Sequence, residues 1–459
     1  MKKLKKIFKT CVLSFFLIQI FLISSCNYSK QDSTEVKYKP VKHVEWSKNA
    51  SIYEVNIRQF TPEGTFNAFA GHLPRLKELG VDILWLMPVH PIGEKNRKGS
   101  LGSYYSVKDY YGINPEFGTK EDFQNLVNKI HEMEMYVIID WVANHSAWDN
   151  ELIEKHPEWY TQNENGEIVA PVDDWTDVAD FNFEIPEMQD YMIGALKYWV
   201  TDFNIDGYRC DVAGMVPFEF WNKARYELDK IKPVFMLAEA SEAELHEYAF
   251  DMTYSWDMHF IWNDIAQGKK SITDLTNQWE KEKTQYKPSD YRMQFISNHD
   301  ENTWKGTVFE RLGDAVKTFA VLSATIPGMP LIYNGQEACM DKRLRFFDKD
   351  TIDWVKDCCM DELYTALLKL KDENQALWNG EFGGDMQRIL TSADDKIFAF
   401  SRTKGDDKVI TILNLSADNV EFEFTTPVEE PTMVELFTNE PINNKYNLKG
   451  WEYKVYSTK

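Results

Sequence analysis

The chain has 459 residues, of which 43% are hydrophobic and 14% aromatic, enough apolar side chain for one large domain and a smaller companion, and too much for global disorder. Its formal net charge of −22 excludes nucleic acid and an anionic membrane surface as electrostatic partners and suits a neutral ligand. The 15 Trp and 22 Tyr offer flat apolar faces, most of which any fold consumes in its core.

The chain opens with a basic stretch, "MKKLKKIFKT", followed by "CVLSFFLIQIFLI", an apolar run shorter than a spanning helix. This run ends in "ISSC", which resembles a bacterial lipobox. The expectation is an export signal over 1–26, with Cys26 lipid-modified and becoming the mature N-terminus. "NYSKQDSTEVKYKP" is polar and aperiodic, so 27–42 is expected to be a flexible tether. Export and anchoring to a membrane through Cys26, on the periplasmic side or at the cell surface, follow from that reading.

From about residue 50 to 375, short apolar runs alternate with amphipathic ones. Strands are expected within "SIYEVNIRQF" (51–60), "VDILWLMPV" (81–89), "MYVIIDWVANH" (135–145), "NIDGYRCDV" (204–212), "PVFMLAEA" (233–240), "FDMTYSW" (250–256), "RMQFISNHD" (292–300) and "MPLIYNGQE" (329–337). "FAGHLPRLKELG", "KEDFQNLVNKIHEM" and "PEMQDYMIGALKYWVTDF" read as helices between them. Eight strand–helix alternations predict a (β/α)8 barrel over 43–377. A doubly wound open sheet is the competing architecture, but no glycine-rich phosphate loop follows the first strand. The long connection after the third strand predicts an inserted subdomain over 146–182. Beyond it, "MQRILTSADDKIFAFSRTKGDDKVITILNLS" and "NVEFEFTTPVEE" alternate with period two, which predicts a C-terminal antiparallel β-sandwich over 378–459.

Barrel enzymes carry their chemistry at the C-terminal ends of the strands. Those ends supply Asp140, Asn144 and His145, then Arg209 and Asp211, then Glu239, then Asn298, His299 and Asp300. Arg209 and Asp211 are two residues apart in an apolar run and share a face. Alone, such a pair reads as a structural ion pair. Three carboxylates (Asp211, Glu239 and Asp300), each ending a separate apolar strand, are hard to explain as structure. Cys210, Cys339, Cys358 and Cys359 have neither zinc-ligand spacing nor the density of a disulfide scaffold, and are expected to be buried free thiols.

"DWVANH", "GYRCDVAG", "MLAEA" and "FISNHD", in that order on those strands, resemble the four short sequence regions of the α-amylase family, glycoside hydrolase family 13. "YYSVKDYYGINPEFGT" and "VADFNF" resemble further segments of that family. The resemblance implies a glycosidase acting on α-glucans or maltooligosaccharides, with Asp211 as nucleophile, Glu239 as general acid/base and Asp300 holding ring hydroxyls. It implies that Arg209 keeps Asp211 ionised, that His145 and His299 bond sugar hydroxyls, and that Tyr105 stacks on the sugar. It also implies a structural calcium at Asn144 and Asp180, and no organic cofactor. Gly214 and Met215 stand where many amylases carry lysine and histidine, and Ser106 and Ala240–Ser241 also depart from the pattern. "DVAGMV" is nearer the cyclomaltodextrinase and neopullulanase branch. Cyclomaltodextrinase, oligo-α-1,6-glucosidase and glucan transferase therefore stand as sister activities, with a non-catalytic sugar-binding barrel as the alternative of another class.

Overall fold

The computed structural model describes residues 38–354, 359–430 and 432–458; the expected signal, Cys26 and most of the tether lie outside them. Eight parallel strands close on themselves: Ile52–Val55, Ile83–Leu86, Tyr136–Trp141, Gly207–Cys210, Phe235–Ala238, Met252–Tyr254, Tyr291–Gln294 and Met329–Tyr333. The first pairs with the second and the eighth, with Ile52 beside both Ile83 and Leu331. The expected barrel is therefore present: seven strands lie inside their predicted runs, and the seventh in chain order starts at Tyr291, one residue ahead of its run.

Why the strands read as continuous apolar runs is clear from their two faces. Ile52, Ile83, Trp85, Ile138, Phe235, Leu237, Met293 and Leu331 pack together inside the barrel. Their neighbours Tyr53, Leu84, Leu86, Val137, Ile139 and Met236 pack outward against the helices. Both faces are dry, so no polar alternation survives. Each such side chain contributes about 1.5–3 kcal/mol when fully buried. Strands four and five touch backbone to backbone at Gly207: a Cβ there would lie 1.8 Å from the Phe235 carbonyl oxygen, and its φ of +153° suits glycine.

Two of the expected helices form as read, Lys120–Glu132 and Pro186–Phe203. Thr119 and Asp122 start the former with a capping box. Met188, Met192, Leu196, Trp199 and Phe203 form the buried stripe of the latter. The segment expected as one helix over 69–80 belongs to two, Phe66–Ala70 and Leu73–Leu79. Pro74 lacks an amide hydrogen, so it sits in the first turn of a new helix rather than inside a longer one.

The insertion is held by an antiparallel pair, His145–Ala147 with Val178–Asp180. The C-terminal domain has a five-stranded antiparallel sheet and a two-stranded one, and residues of both share a core that includes Ile397, Ile410, Phe422 and Tyr456. Arg402 joins it to the barrel. Its guanidinium donates to the carbonyls of Gly384, Thr325, Ile326 and Trp378, two of them at the end of the helix Val316–Thr325, where a cation is favoured. One expectation needs correction. Cys210 is a buried free thiol, but Cys339 is disulfide-bonded. Pairing depends on proximity in space, which cysteine spacing does not reveal. Cys358 and the side chain of Cys359 lie outside the described residues.

Candidate active site

The period-two rule that makes the barrel interior apolar also builds a polar layer at its C-terminal end. Ile52, Ile138 and Leu237 face inward, so Glu54, Asp140 and Glu239, each two residues further on, face inward too. Arg209 follows Gly207 in the same way. Glu54, Asp140 and Arg209 are completely buried. Below them Trp85 forms a floor, with its Nε1 donating to Asp140 Oδ2 at 3.2 Å and the Arg209 guanidinium 5.0 Å from its ring.

Arg209 is the hub. Its Nη1 donates to Asp140 Oδ1 and Oδ2 at 2.9 and 3.1 Å and to Asp211 Oδ1 at 3.0 Å. Nε donates to Tyr254 Oη at 3.2 Å. Nη2 lies 2.9 Å from Glu239 Oε2 but off the line of a proper hydrogen bond. Glu239 Oε2 instead accepts the Val212 amide at 2.8 Å. The fourth strand stops at Cys210, so Asp211 lies just past its end rather than on it. Val212 then adopts φ +36° and ψ +46°, a left-handed conformation that a β-branched residue adopts only under constraint. That turn aims its amide at Glu239.

A second branch runs through His299. Its Nδ1 lies 2.5 Å from Glu54 Oε1, its Nε2 is 2.8 Å from Tyr105 Oη, and the same Nε2 is 3.5 Å from Asp300 Oδ2. Tyr105 Oη donates to Asp140 Oδ2 at 3.1 Å, which joins both branches in one hydrogen-bonded chain. Burial works against the His299 imidazolium, but Asp300 and Glu54 outweigh it and lift its pKa to about 9. His145 has no such partner, and burial drives it down to about 3, leaving a neutral imidazole. Burial raises Glu239 above the usual carboxylate range despite Arg209. Burial, and then the Glu239 charge, raise Asp211. Burial raises Glu54, Asp140, Asp211 and Glu239 alike, against the pull of the Arg209 and His299 cations, so these carboxyls favour sharing protons.

Asp211, Glu239, Asp300, Tyr105, His145 and His299 all line one cavity of about 530 Å³, with Arg209 immediately behind them. Asn144 and Asp180 sit apart from this cavity. Asn144 Nδ2 is 3.5 Å from Asp180 Oδ1, and the Asn144 and His145 carbonyls already accept from the Phe181 amide and Tyr110 Oη. Among the described residues no group of three or more His, Cys, Asp or Glu is placed to hold a metal. Asn144 and Asp180 together supply at most three side-chain oxygens, which do not by themselves fit calcium, a cation that takes six to eight oxygen ligands.

Several lining residues were not singled out in the sequence. Trp175 and Asp177 come from the insertion, Trp304 follows the seventh strand, and Phe346 and Phe347 follow the eighth. Trp304 rides on a π-helical turn, Glu301–Lys305, and its Nε1 donates to Asp300 Oδ1 at 3.1 Å. Phe346 lies nearly parallel to Tyr105, at 9° with ring centres 6.2 Å apart. These aromatics sit in loops or on a single short turn without periodicity, so only tertiary placement reveals them. Glu54 did leave a signal: it is the lone acid within the apolar strand "IYEV".

The profile of the α-amylase catalytic domain matches residues 25–167 and 158–362. The chain belongs to the α-amylase family. A profile of the maltogenic amylase C-terminal domain matches residues 387–454. A noncanonic maltogenic α-amylase from Thermotoga neapolitana is 31% identical with a TM-score of 0.82, covering 90% of this chain and 99% of that one. An α-amylase from Lactobacillus plantarum is 30% identical with a TM-score of 0.81 over 90% and 99%. "Alpha-amylase 3" of Dictyoglomus thermophilum is 24% identical over 515 residues, covering 96% of this chain and 97% of its own. As a member of the α-amylase family the chain is a glycoside hydrolase of the α-amylase type.

Proposed function

We propose that the protein is a retaining hydrolase of α-glucosidic bonds in starch-type glucans and maltooligosaccharides. The observation that carries this reading is the buried Arg209, shared by Asp140, Asp211 and Glu239 at the floor of the cavity. Burial and then the Glu239 charge raise Asp211, while burial and then the Asp300 charge raise Glu239, so the pair favours holding a proton. Arg209 makes a true hydrogen bond to Asp211 and only an off-line contact to Glu239, which favours the anion on Asp211 and the proton on Glu239.

Asp211 then attacks the anomeric carbon as the bond to the departing oxygen breaks, and Glu239 gives its proton to that oxygen. In the second half Glu239, now a carboxylate, takes a proton from water, whose oxygen attacks the anomeric carbon and frees Asp211. Asp300 holds ring hydroxyls and its negative charge favours the positive charge developing at the ring. His299 presents an imidazolium to the same sugar, His145 a neutral imidazole, and Tyr105 its ring face. Transfer to a sugar acceptor instead of water uses the same glycosyl-enzyme. The 26 N-terminal residues serve, on the same reading, as a lipoprotein export signal ending in Cys26.

Proton NMR of the first sugar released from a maltooligosaccharide tests the reading. The α-anomer is expected; a β-anomer overturns it. Product profiles on starch, pullulan, cyclodextrin and isomaltose then separate the sister activities.

A further inference from the structure

One side of the cavity's rim is built from three loops tied to one another. Lys98, in the loop after the second strand, donates from Nζ to the Asp174 carbonyl at 2.7 Å and pairs with Asp177 Oδ1 at 3.1 Å, both in the insertion after the third strand. Asp177 is itself buried, and its carbonyl accepts Ser106 Oγ at 2.9 Å. On its other flank the same loop is sewn to the segment after the eighth strand. The Leu101 amide donates to the Phe347 carbonyl at 2.9 Å, and the amide and hydroxyl of Ser100 donate to Asp348 Oδ1 at 2.8 and 2.6 Å. At Gly99 (φ +62°) a Cβ would lie 2.4 Å from that of Phe347, so the two loops are in direct contact. Lys98, Asp174, Asp177 and Phe347 all line the cavity. Three loops therefore form one unbroken wall along the mouth over strands eight, one, two and three.

The wall's position decides what it does. In a closed ring of eight strands the first lies diametrically across from the fifth, and the fifth carries Glu239 just past its end. An acid that protonates the departing oxygen stands on the leaving group's side. The part of the glucan that becomes bonded to Asp211 then runs the other way, towards the wall. On the acid's side Met215, on a three-residue turn after the fourth strand, is 47% exposed.

We infer that the Lys98–Asp174–Asp177 bridge, with Phe347, blocks the non-reducing side of the cleft, so that the enzyme trims short units of fixed length from non-reducing chain ends. This rests on the α-glucan hydrolase reading and goes beyond it by naming the end of the chain that is attacked. The bridge is a specificity device: it touches no reacting atom and limits how many glucosyl residues fit beyond the cleaved bond.

The test compares maltoheptaose carrying a fluorescent reducing-end label with the same sugar capped by an ethylidene group on its non-reducing glucose. The wild type should shorten the free-ended sugar by one fixed step at the earliest times. It should cut the capped sugar at least about tenfold more slowly, the scale on which a pocket rejects added bulk. Lys98→Ala should then raise the ratio of capped to free cleavage by about tenfold. Cleavage of the capped sugar at the rate of the free one by the wild type overturns the inference without any variant, and leaves the hydrolase reading standing. An unchanged ratio in a folded Lys98→Ala protein also overturns the bridge's role. No cleavage of either sugar would remove the hydrolase reading itself, and the inference with it.

Discussion

His299 Nδ1 lies 2.5 Å from Glu54 Oε1, and both groups are shut away from water at the top of the barrel. The pair fixes which way the imidazole faces: with Nδ1 committed to Glu54, Nε2 is the nitrogen presented to Tyr105 and Asp300. Burial pushes Glu54 upward while His299 pulls it down, and His299 rises to about 9. Both directions describe one proton held between the two groups well past neutrality.

Replacing Glu54 with Gln should lower kcat/KM by about tenfold to a hundredfold, the range found when the partner that orients an imidazole is lost. A merely structural role would leave the pH profile in place. Here the His299 titration, followed by NMR, should fall from about 9 towards the ordinary histidine value. Because the folded pKa lies above the unfolded one, the pair's stabilisation is complete below about pH 6.5 and fades as pH rises through 9. The difference in Tm between wild type and Glu54→Gln should therefore shrink on going from pH 6 to pH 10. An unmoved titration together with an unmoved profile would remove Glu54 from the chain of hydrogen bonds.

Asn144 and Asp180 offer calcium at most three side-chain oxygens and already contact one another. A chelator should therefore leave Tm unchanged, and metal analysis of the chelator-free protein should find no stoichiometric calcium. A fall of several degrees on chelation, restored by calcium, would show that the pair opens to bind the ion.

Cys26 follows "ISS" at the end of an apolar run. Cys26→Ser should abolish lipid attachment, measured by mass spectrometry of the mature N-terminus, and shift the protein from the membrane fraction to the soluble one. Undiminished membrane retention would mark the apolar run as an uncleaved anchor.

How much of this was legible in sequence depended on periodicity. Strands with two dry faces announce themselves as apolar runs, so all eight appear, and so do the carboxylates that end them. The helix Pro186–Phe203 was readable to its ends because proline starts it and its buried residues recur at helical spacing. The split at Gly71–His72 was signalled by Pro74, but a continuous amphipathic pattern concealed it. Trp175, Trp304, Phe346 and Phe347 had no such signal. They sit in loops or, for Trp304, on a short π-helical turn, and their contribution to the cavity depends on contacts between separate segments, such as Phe346 against Tyr105. The Cys339 disulfide was hidden because pairing depends on proximity in space, which cysteine spacing does not give.

The assignment of roles stands or falls on Asp211 and Glu239. Asp211→Asn removes the nucleophile and should cut turnover on every substrate by on the order of 10⁴-fold or more. Glu239→Gln keeps the volume of the side chain and its place beside the Val212 amide, but cannot give up a proton. It should cripple natural glucans yet slow the first step on α-maltosyl fluoride, the initial burst of fluoride release, far less, because fluoride leaves without protonation. On that substrate the glycosyl-enzyme forms but lacks a base to activate water, so it should accumulate and be visible by mass spectrometry as a mass added at Asp211. Added azide, a small nucleophile that needs no base, should restore turnover and give an α-glycosyl azide. Equal losses of Glu239→Gln in the first, glycosyl-transferring step on the fluoride and on natural glucans would strip Glu239 of its acid role. A β-glycosyl azide would mean that the acid/base and nucleophile roles had been exchanged or that no covalent intermediate forms, and either outcome would overturn the mechanism.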